Sequence, residues 1–584
     1  MTPSPLAESP GPREPGVGRH VYLSGATLDA ALVLLVFFIH GAWPVPDVNE
    51  TCYLLKAKHY WNPAWLAHDQ FLSSADAHWF FYLACGWPTL FLSLEASAWV
   101  LRFLGWAFLA LGWTALSRTI APRTGLAALS AVGFLGLVEH AHMAGEWIAG
   151  GVEGKVFSYA CILFALANVA RGRWNRALLW LAPATLFHVL VGGWASIAIG
   201  GAWLLVGRGQ PAPLGSSRDA SLRGMASGLI VWAIYATLAV VPALQLSSGI
   251  DPAVERTAHE ITLARRLPHH LDFARFDDWF RFRHALLWAA WGGLIVAIAA
   301  TNHFGRAKRE STSGSLDRPR PIETRRLMRV QGAVAGAAML ALVGIAIATW
   351  FPRPDEAPPT LLRFYWFRLA DVFAPLGVSL SAVTLLLRRG RLGWLGTALW
   401  LACVLACGAD LVNAAWTRAA IPAPRAFKTD PANDVPDVEE FRRFKDACAW
   451  VARKTPEDSL FIISRDADAF KWYAGRADLV NWKDFPQDAP SIMEWWSRLL
   501  DVGMWDAVNK RYRHRVGLNK GTLPPMSGEE LKRVSDKYGA RYLFVRGRRD
   551  LPFEILYAQE SEAGYLVYDL QTPKTQDESP APRP

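Results

Sequence analysis

Apolar runs of about 18–23 residues recur along roughly the first two-thirds of the chain, each long enough to cross ~30 Å of hydrocarbon. So many such runs cannot all be buried in one water-soluble core. The chain therefore reads as a polytopic α-helical membrane protein of about eleven spans. They fall near 24–43, 95–117, 124–142, 153–170, 177–190, 191–207, 224–246, 284–301, 329–351, 370–388 and 394–415. The fifth and sixth share "ALLWLAPATLFHVLVGGWASIAIGGAWLL", which reads as one long helix or as two pieces broken around Gly192-Gly193.

Basic residues orient the spans. Arg118 and Arg123, the trio Arg171, Arg173 and Arg176, then Arg208, Arg218 and Arg223, the stretch from Arg306 to Arg329, and Arg388, Arg389 and Arg391 fall on one side if the N-terminal tail, 1–23, is cytoplasmic. The net charge of +10 thus reports topology rather than nucleic-acid binding. In this frame the transmembrane domain is 24–415. Its outer loops are 44–94, 143–152, 247–283 and 352–369, and "RAKRESTSGSLDRPRPIET" is a flexible cytoplasmic linker. The expected location is a bacterial inner membrane.

From 416 to 572 the composition changes. "SLFIIS", "ADLVNW", "ARYLFVR" and "GYLVYDL" read as strands, while "VEEFRRFKDACAWVARK", "SIMEWWSRLLDVG" and "GEELKRVSDKYG" read as amphipathic helices. This predicts a small extracytoplasmic α/β domain, followed by a disordered tail, 573–584. The six cysteines show no metal-ligand spacing. Cys52 and Cys85 share the first outer loop, so a disulfide between them is an open option.

Four charged clusters fall on the outer side. "WPVPDVNETCYLLKAKHYWNP" carries Asp47 and Glu50, and "EHAHMAGEWIAGGVEGKVFSYA" carries Glu146, Glu153 and Lys155. "ERTAHEITLARRLPHHLDFARFDDWFRFRH" holds Arg266, His269 and His270, and breaks the inside bias for basic residues. "LLRFYWFRLADVF" adds Arg368 and Asp371, spaced for an ion pair along one helix face. Ionisable groups at a membrane boundary are costly and point to paired structure or to function.

Carboxylates from the first two clusters and cations from the last two suit transfer from a phosphate-activated donor. Asp47, Glu50, Glu146 and Glu153 are the candidate catalytic acids. Lys155, Arg266, His269, His270 and Arg368 are the candidate donor-phosphate ligands. In "FKWYAGRADLVNWKDFPQD", Trp472, Arg476 and Lys483 are candidates for contact with an acceptor. No cofactor is fixed by the sequence; a divalent cation, Mg or Mn, held by a carboxylate is the open option.

The layout of many spans, an acidic first outer loop and a terminal soluble domain resembles the GT-C class of polyprenyl-phosphate-sugar glycosyltransferases. That resemblance implies a catalytic aspartate in the first outer loop, here Asp47 by position, with Glu50 the near alternative. "PDVNETCYLLKAKHYWNP", "GEWIAGGVEGK", "RLPHHLDF", "FRLADVFAP" and "WYAGRADLVNWKDFPQD" resemble an uncharacterised family of planctomycete-like bacterial membrane proteins, which implies no activity. The expected function is sugar transfer from a polyprenyl-phosphate donor to a glycan, lipid or protein acceptor outside the cytoplasm. The alternatives are a transporter or flippase of a lipid-linked or anionic substrate, and a non-catalytic envelope assembly protein.

Overall fold

A computed structural model describes residues 17–207, 221–313, 322–353, 358–387, 393–421, 423–427, 438–464, 467–506, 511–512, 525–561 and 564–574. The chain is a polytopic helical membrane protein with a small terminal α/β domain. Seven helices are long and apolar enough to cross a membrane: Leu94–Ile120, Val189–Gly207, Ala226–Gln245, Asp278–His303, Ile322–Trp350, Arg368–Leu386 and Gly396–Ala420. Shorter apolar helices, Gly25–Gly41, Leu126–Ala141 and Gly154–Ala170, lie among them. Trp174–Phe187 completes a set of eleven that coincides with the runs read from sequence. The first helix begins at Val17, inside the segment expected to be tail, and residues 1–16 lie outside the described set. Residues 314–321 of the expected linker and 575–584 of the expected tail lie outside it too.

Packing sorts the spans into centre and rim. Arg368–Leu386 is 89% buried within the bundle, whereas Gly396–Ala420 is 6% buried and faces outward almost all round. The central packing is aromatic: Trp113 stacks on Phe134 at 4.4 Å between ring centroids, and both are fully buried. Rings packed so closely add about 0.5–1.5 kcal/mol per pair beyond the area they bury.

The 177–207 segment is two helices, and the break lies at His188 rather than at Gly192-Gly193. His188 is extended (φ −153°, ψ 102°) and its ring caps the second helix by accepting from the Val191 amide at 3.4 Å. Gly192 then allows the two helices to fold together, since a Cβ there would sit 2.3 Å from the Thr185 nitrogen.

In the terminal domain, strands β1 (Leu460–Ile463), β2 (Ala477–Asp478), β5 (Tyr542–Arg546), β6 (Phe553–Ala558) and β7 (Tyr565–Pro573) form one sheet of order β2-β1-β5-β7-β6. Its β1 pairings are parallel; those of β7 are antiparallel. Strands β3 (Trp505–Asp506) and β4 (Arg511–Tyr512) form a separate antiparallel pair. Alternation along the strands supplies two cores. Phe544, Tyr565 and Val567 meet Phe444, Cys448 and Val451 of helix Val438–Lys454 on one face. Leu543, Val545 and Leu566 meet Ile492, Trp495 and Leu531 of the helices on the other. The sequence reading missed β6, whose burial is irregular and whose register to β7 shifts twice.

The interhelical loops and this domain meet at one end of the bundle, joined by polar contacts. Arg353 donates to Asp272 through both Nη atoms at 2.9 and 2.8 Å, and Arg363 approaches Glu255 at 3.4 Å. Arg266 Nε donates to the Trp482 carbonyl at 3.1 Å, carrying the third loop onto the domain. The first loop docks through Lys471, whose ammonium is buried among Asp69 (3.0 Å), Asp478 (3.4 Å) and Asp484. Cys52 and Cys85 are not bonded to each other: both are free thiols, and Cys52 Sγ faces Asp484 Oδ1 at 3.3 Å.

Candidate active site

The first-loop acids hold the loops together. Asp47 accepts from Arg425 Nε and Nη2 at 2.8 and 2.7 Å, and from the amides of Val48 and Gly151 at 2.7 and 3.0 Å. Burial pushes its carboxyl up, but the Arg425 and Arg102 charges and these hydrogen bonds prevail and hold it at about 2. Glu50 accepts from Arg102 Nε and Nη2, both at 2.6 Å, and from the amides of Asp47 (2.7 Å) and Val152 (2.9 Å). Gly151 crosses directly above both side chains; a Cβ there would lie 2.8 Å from Asp47 Cβ and 2.9 Å from Glu50 Cγ.

A different space collects the cations. A cavity of about 940 Å³ lies between the bundle, the loops and the terminal domain. Lys155, Arg266, Arg363, Arg368 and Lys483 line its polar part. Its other walls are apolar and belong to two spans: Leu190, Trp194 and Ile197 on one, Val240, Ala243 and Leu244 on the next. Glu153, His269 and His270 also line it, whereas Asp47, Glu50, Trp472 and Arg476 do not. Glu146 stands one contact behind the wall, through Arg368.

These groups form a chain of alternating charge. Arg368 Nε meets Glu146 Oε2 at 2.9 Å; Lys155 Nζ lies 3.6 Å from Glu146 Oε1 and 3.4 Å from Glu153 Oε2; and Asn49 Nδ2 donates to the far oxygen of Glu153. Burial raises the Glu146 carboxyl, outweighing the Arg368 and Lys155 charges that lower it. The expected Arg368–Asp371 pair is absent from the described contacts because each residue has a better partner. Asp371 instead accepts from the amides of Met143 (2.7 Å), Ala144 (2.9 Å) and Glu146 (3.2 Å), which fixes the loop bearing Glu146. Burial lowers both His269 and His270, the latter to about 3, so His270 is neutral near pH 7 and its Nδ1 donates to the Ala144 carbonyl.

His188, a further lining group, escaped the sequence reading, and Tyr53 and Asp76 of the first outer loop line the cavity beside it. His188 Nε2 lies 3.3 Å from Arg368 Nη1. A lone histidine within an otherwise apolar run was its only signal. Asp76 pairs with Lys56 at 3.2 Å, and His78 Nδ1 lies 2.8 Å from its other oxygen.

The terminal-domain candidates separate. Arg476 is spent inside its own domain, donating to the carbonyls of Ala452 (2.8 Å) and Thr455 (2.7 Å). Trp472 is buried with Leu54, Leu55 and Phe71 of the first loop. Of the three, only Lys483 reaches the cavity. Among the described residues no three His, Cys, Asp or Glu side chains come together as a metal site.

A family model described as a domain of unknown function (DUF6798) matches residues 442–502. No curated protein matches the chain. Among solved structures, the chain is similar to the archaeal oligosaccharyltransferase AglB from Archaeoglobus fulgidus, in complex with an inhibitory peptide and a dolichol-phosphate (TM-score 0.41, 12% identity, 91% of this chain and 70% of that one). A second Archaeoglobus fulgidus oligosaccharyltransferase structure, a complex with Zn and sulfate, aligns at TM-score 0.42 and 14% identity over 90% of this chain and 68% of that one. ArnT from Cupriavidus metallidurans bound to undecaprenyl phosphate aligns at TM-score 0.41 and 13% identity over 95% and 98%. At such scores the likeness locates no residue and fixes no activity.

Proposed function

We propose that the chain is a membrane glycosyltransferase that takes a sugar from a polyprenyl-phosphate donor and passes it to an acceptor hydroxyl outside the cytoplasm of a bacterial cell. One observation carries this reading: a single cavity has a cationic end and two walls made of apolar spans. Its natural occupant is an amphiphile with an anionic head and a long hydrocarbon tail.

In the proposed reaction, Glu153 takes the proton of the acceptor hydroxyl. The acceptor oxygen bonds to the anomeric carbon, and the bond from that carbon to the phosphate oxygen breaks. Its electron pair leaves on the phosphate, whose growing charge is met by Arg368, Lys155 and Arg266. His270, neutral and held by Ala144, keeps a fixed polar edge beside them.

The test is transfer of labelled sugar from a polyprenyl-phosphate donor by membranes containing the full chain. Glu153→Gln is expected to lower turnover by at least ~100-fold with donor binding retained. Full turnover in that variant removes Glu153 as the base. Movement of labelled lipid across the bilayer with no covalent change replaces the transferase reading with a flippase.

A further inference from the structure

Most cations lining the polar end of the cavity already have a protein acceptor. Lys155 has Glu146 and Glu153, Arg368 has Glu146, Arg363 has Glu255, and Arg266 donates to the Trp482 carbonyl. Lys483 differs. Its side chain lines the same space, and among the described residues its ammonium has no ion pair and no hydrogen-bond acceptor. Glu153 and Asp468 act on it without touching it, and burying an ammonium with no contacting acceptor is costly to the fold unless something else supplies one.

Arg266 adds a second cation beside Lys483. Its guanidinium lies over the rings of Trp482 and Phe485, at 5.2 and 5.8 Å, on either side of Lys483 in sequence. Both cations therefore border the cavity at the seam between the third loop and the terminal domain. At the polar end, Lys155, Arg368, Arg266 and Lys483 outnumber the nearby acids Glu146, Glu153 and Asp468 by one. A lipid phosphate released by sugar transfer is a monoester, which carries close to two negative charges at neutral pH.

We propose that Lys483 binds the phosphate of the lipid donor rather than the acceptor, so that the terminal domain supplies the last cation of the phosphate site. This rests on the transferase reading. The groups facing Lys483 are Arg266 and His269 of the third loop, Cys52 and Glu153 of the first and second, and Asp468 of its own domain. Burial and the Arg266 charge lower the ammonium of Lys483, so it loses its proton at a lower pH than a free lysine. Phosphate binding should accordingly weaken on the alkaline side.

The experiment measures binding of undecaprenyl phosphate and of undecaprenol to the purified full chain in detergent, across pH. The wild type is expected to favour the phosphate. Lys483→Gln should weaken phosphate binding about tenfold and leave the alcohol unchanged, the loss of one charge-assisted contact. Lys483→Arg should keep the affinity and move the alkaline fall-off to higher pH; this variant decides the matter if the glutamine form does not fold. Unchanged phosphate affinity in Lys483→Gln, with the wild type still discriminating, overturns the role of Lys483 and leaves the transferase reading intact. A wild type that binds phosphate and alcohol alike overturns both.

Discussion

Arg425 grips Asp47 with two parallel hydrogen bonds, Nε to Oδ1 at 2.8 Å and Nη2 to Oδ2 at 2.7 Å. The pair ties the connector after the last span to the loop after the first. Asp47 is 1% exposed and does not line the cavity.

Removing one partner should cost more than removing both. Arg425→Met leaves Asp47 charged and buried, a loss of about 3–5 kcal/mol by the usual cost of stranding such a charge. Adding Asp47→Asn should recover part of it, read as a double-mutant cycle by thermal unfolding in detergent. The folded carboxyl sits at about 2 and its ordinary value is 3.8. This stabilisation is therefore complete above pH 3.8 and lost as pH falls through 2, an effect of roughly 2 kcal/mol.

His270 should make the protein acid-sensitive over a different window. Its folded value, about 3, lies below the ordinary 6.5. The unfolded chain takes up a proton first, so stability falls as pH drops from 6.5 towards 3. His270→Gln removes that uptake and can still donate to Ala144. Its stability should vary less with pH over that range, as measured by denaturation midpoints at several pH values.

Lys471 holds three acids together at the domain junction. Lys471→Met should detach the terminal domain from the first loop, detected as new protease cleavage between the last span and residue 438. Burial raises Asp478 to about 7 against the Lys471 charge that lowers it.

Gly151→Ala tests the crossing of the two loops. The added methyl meets Asp47 and Glu50 at under 3 Å. A loss of about 1–3 kcal/mol is expected, as for other overpacked sites, measured by the shift in melting temperature.

The helices were legible because span-length apolar runs leave a chain few alternatives, and even the divided fifth and sixth runs were visible. The position of their break was not, since it depends on the ring of His188 capping Val191, a choice among competing local signals. The site was legible in part. Glu153, Lys155, Arg266, Arg368 and both loop histidines stand together, from clusters that were plainly charged. What the sequence hid was partnership. Nothing near Asp47 announces that Arg425, 378 positions later, will occupy it, or that Arg102 in a span will occupy Glu50. Pairing across such separations is set by packing alone.

Cys52 and Asp484, neighbours across the domain seam, are 432 positions apart. During synthesis on the ribosome, every span is made before the segment that carries Lys483 and closes that side of the cavity. A nascent chain thus passes through a stage with its bundle present and one flank still open, and the chamber is finished only with the final quarter of the polypeptide.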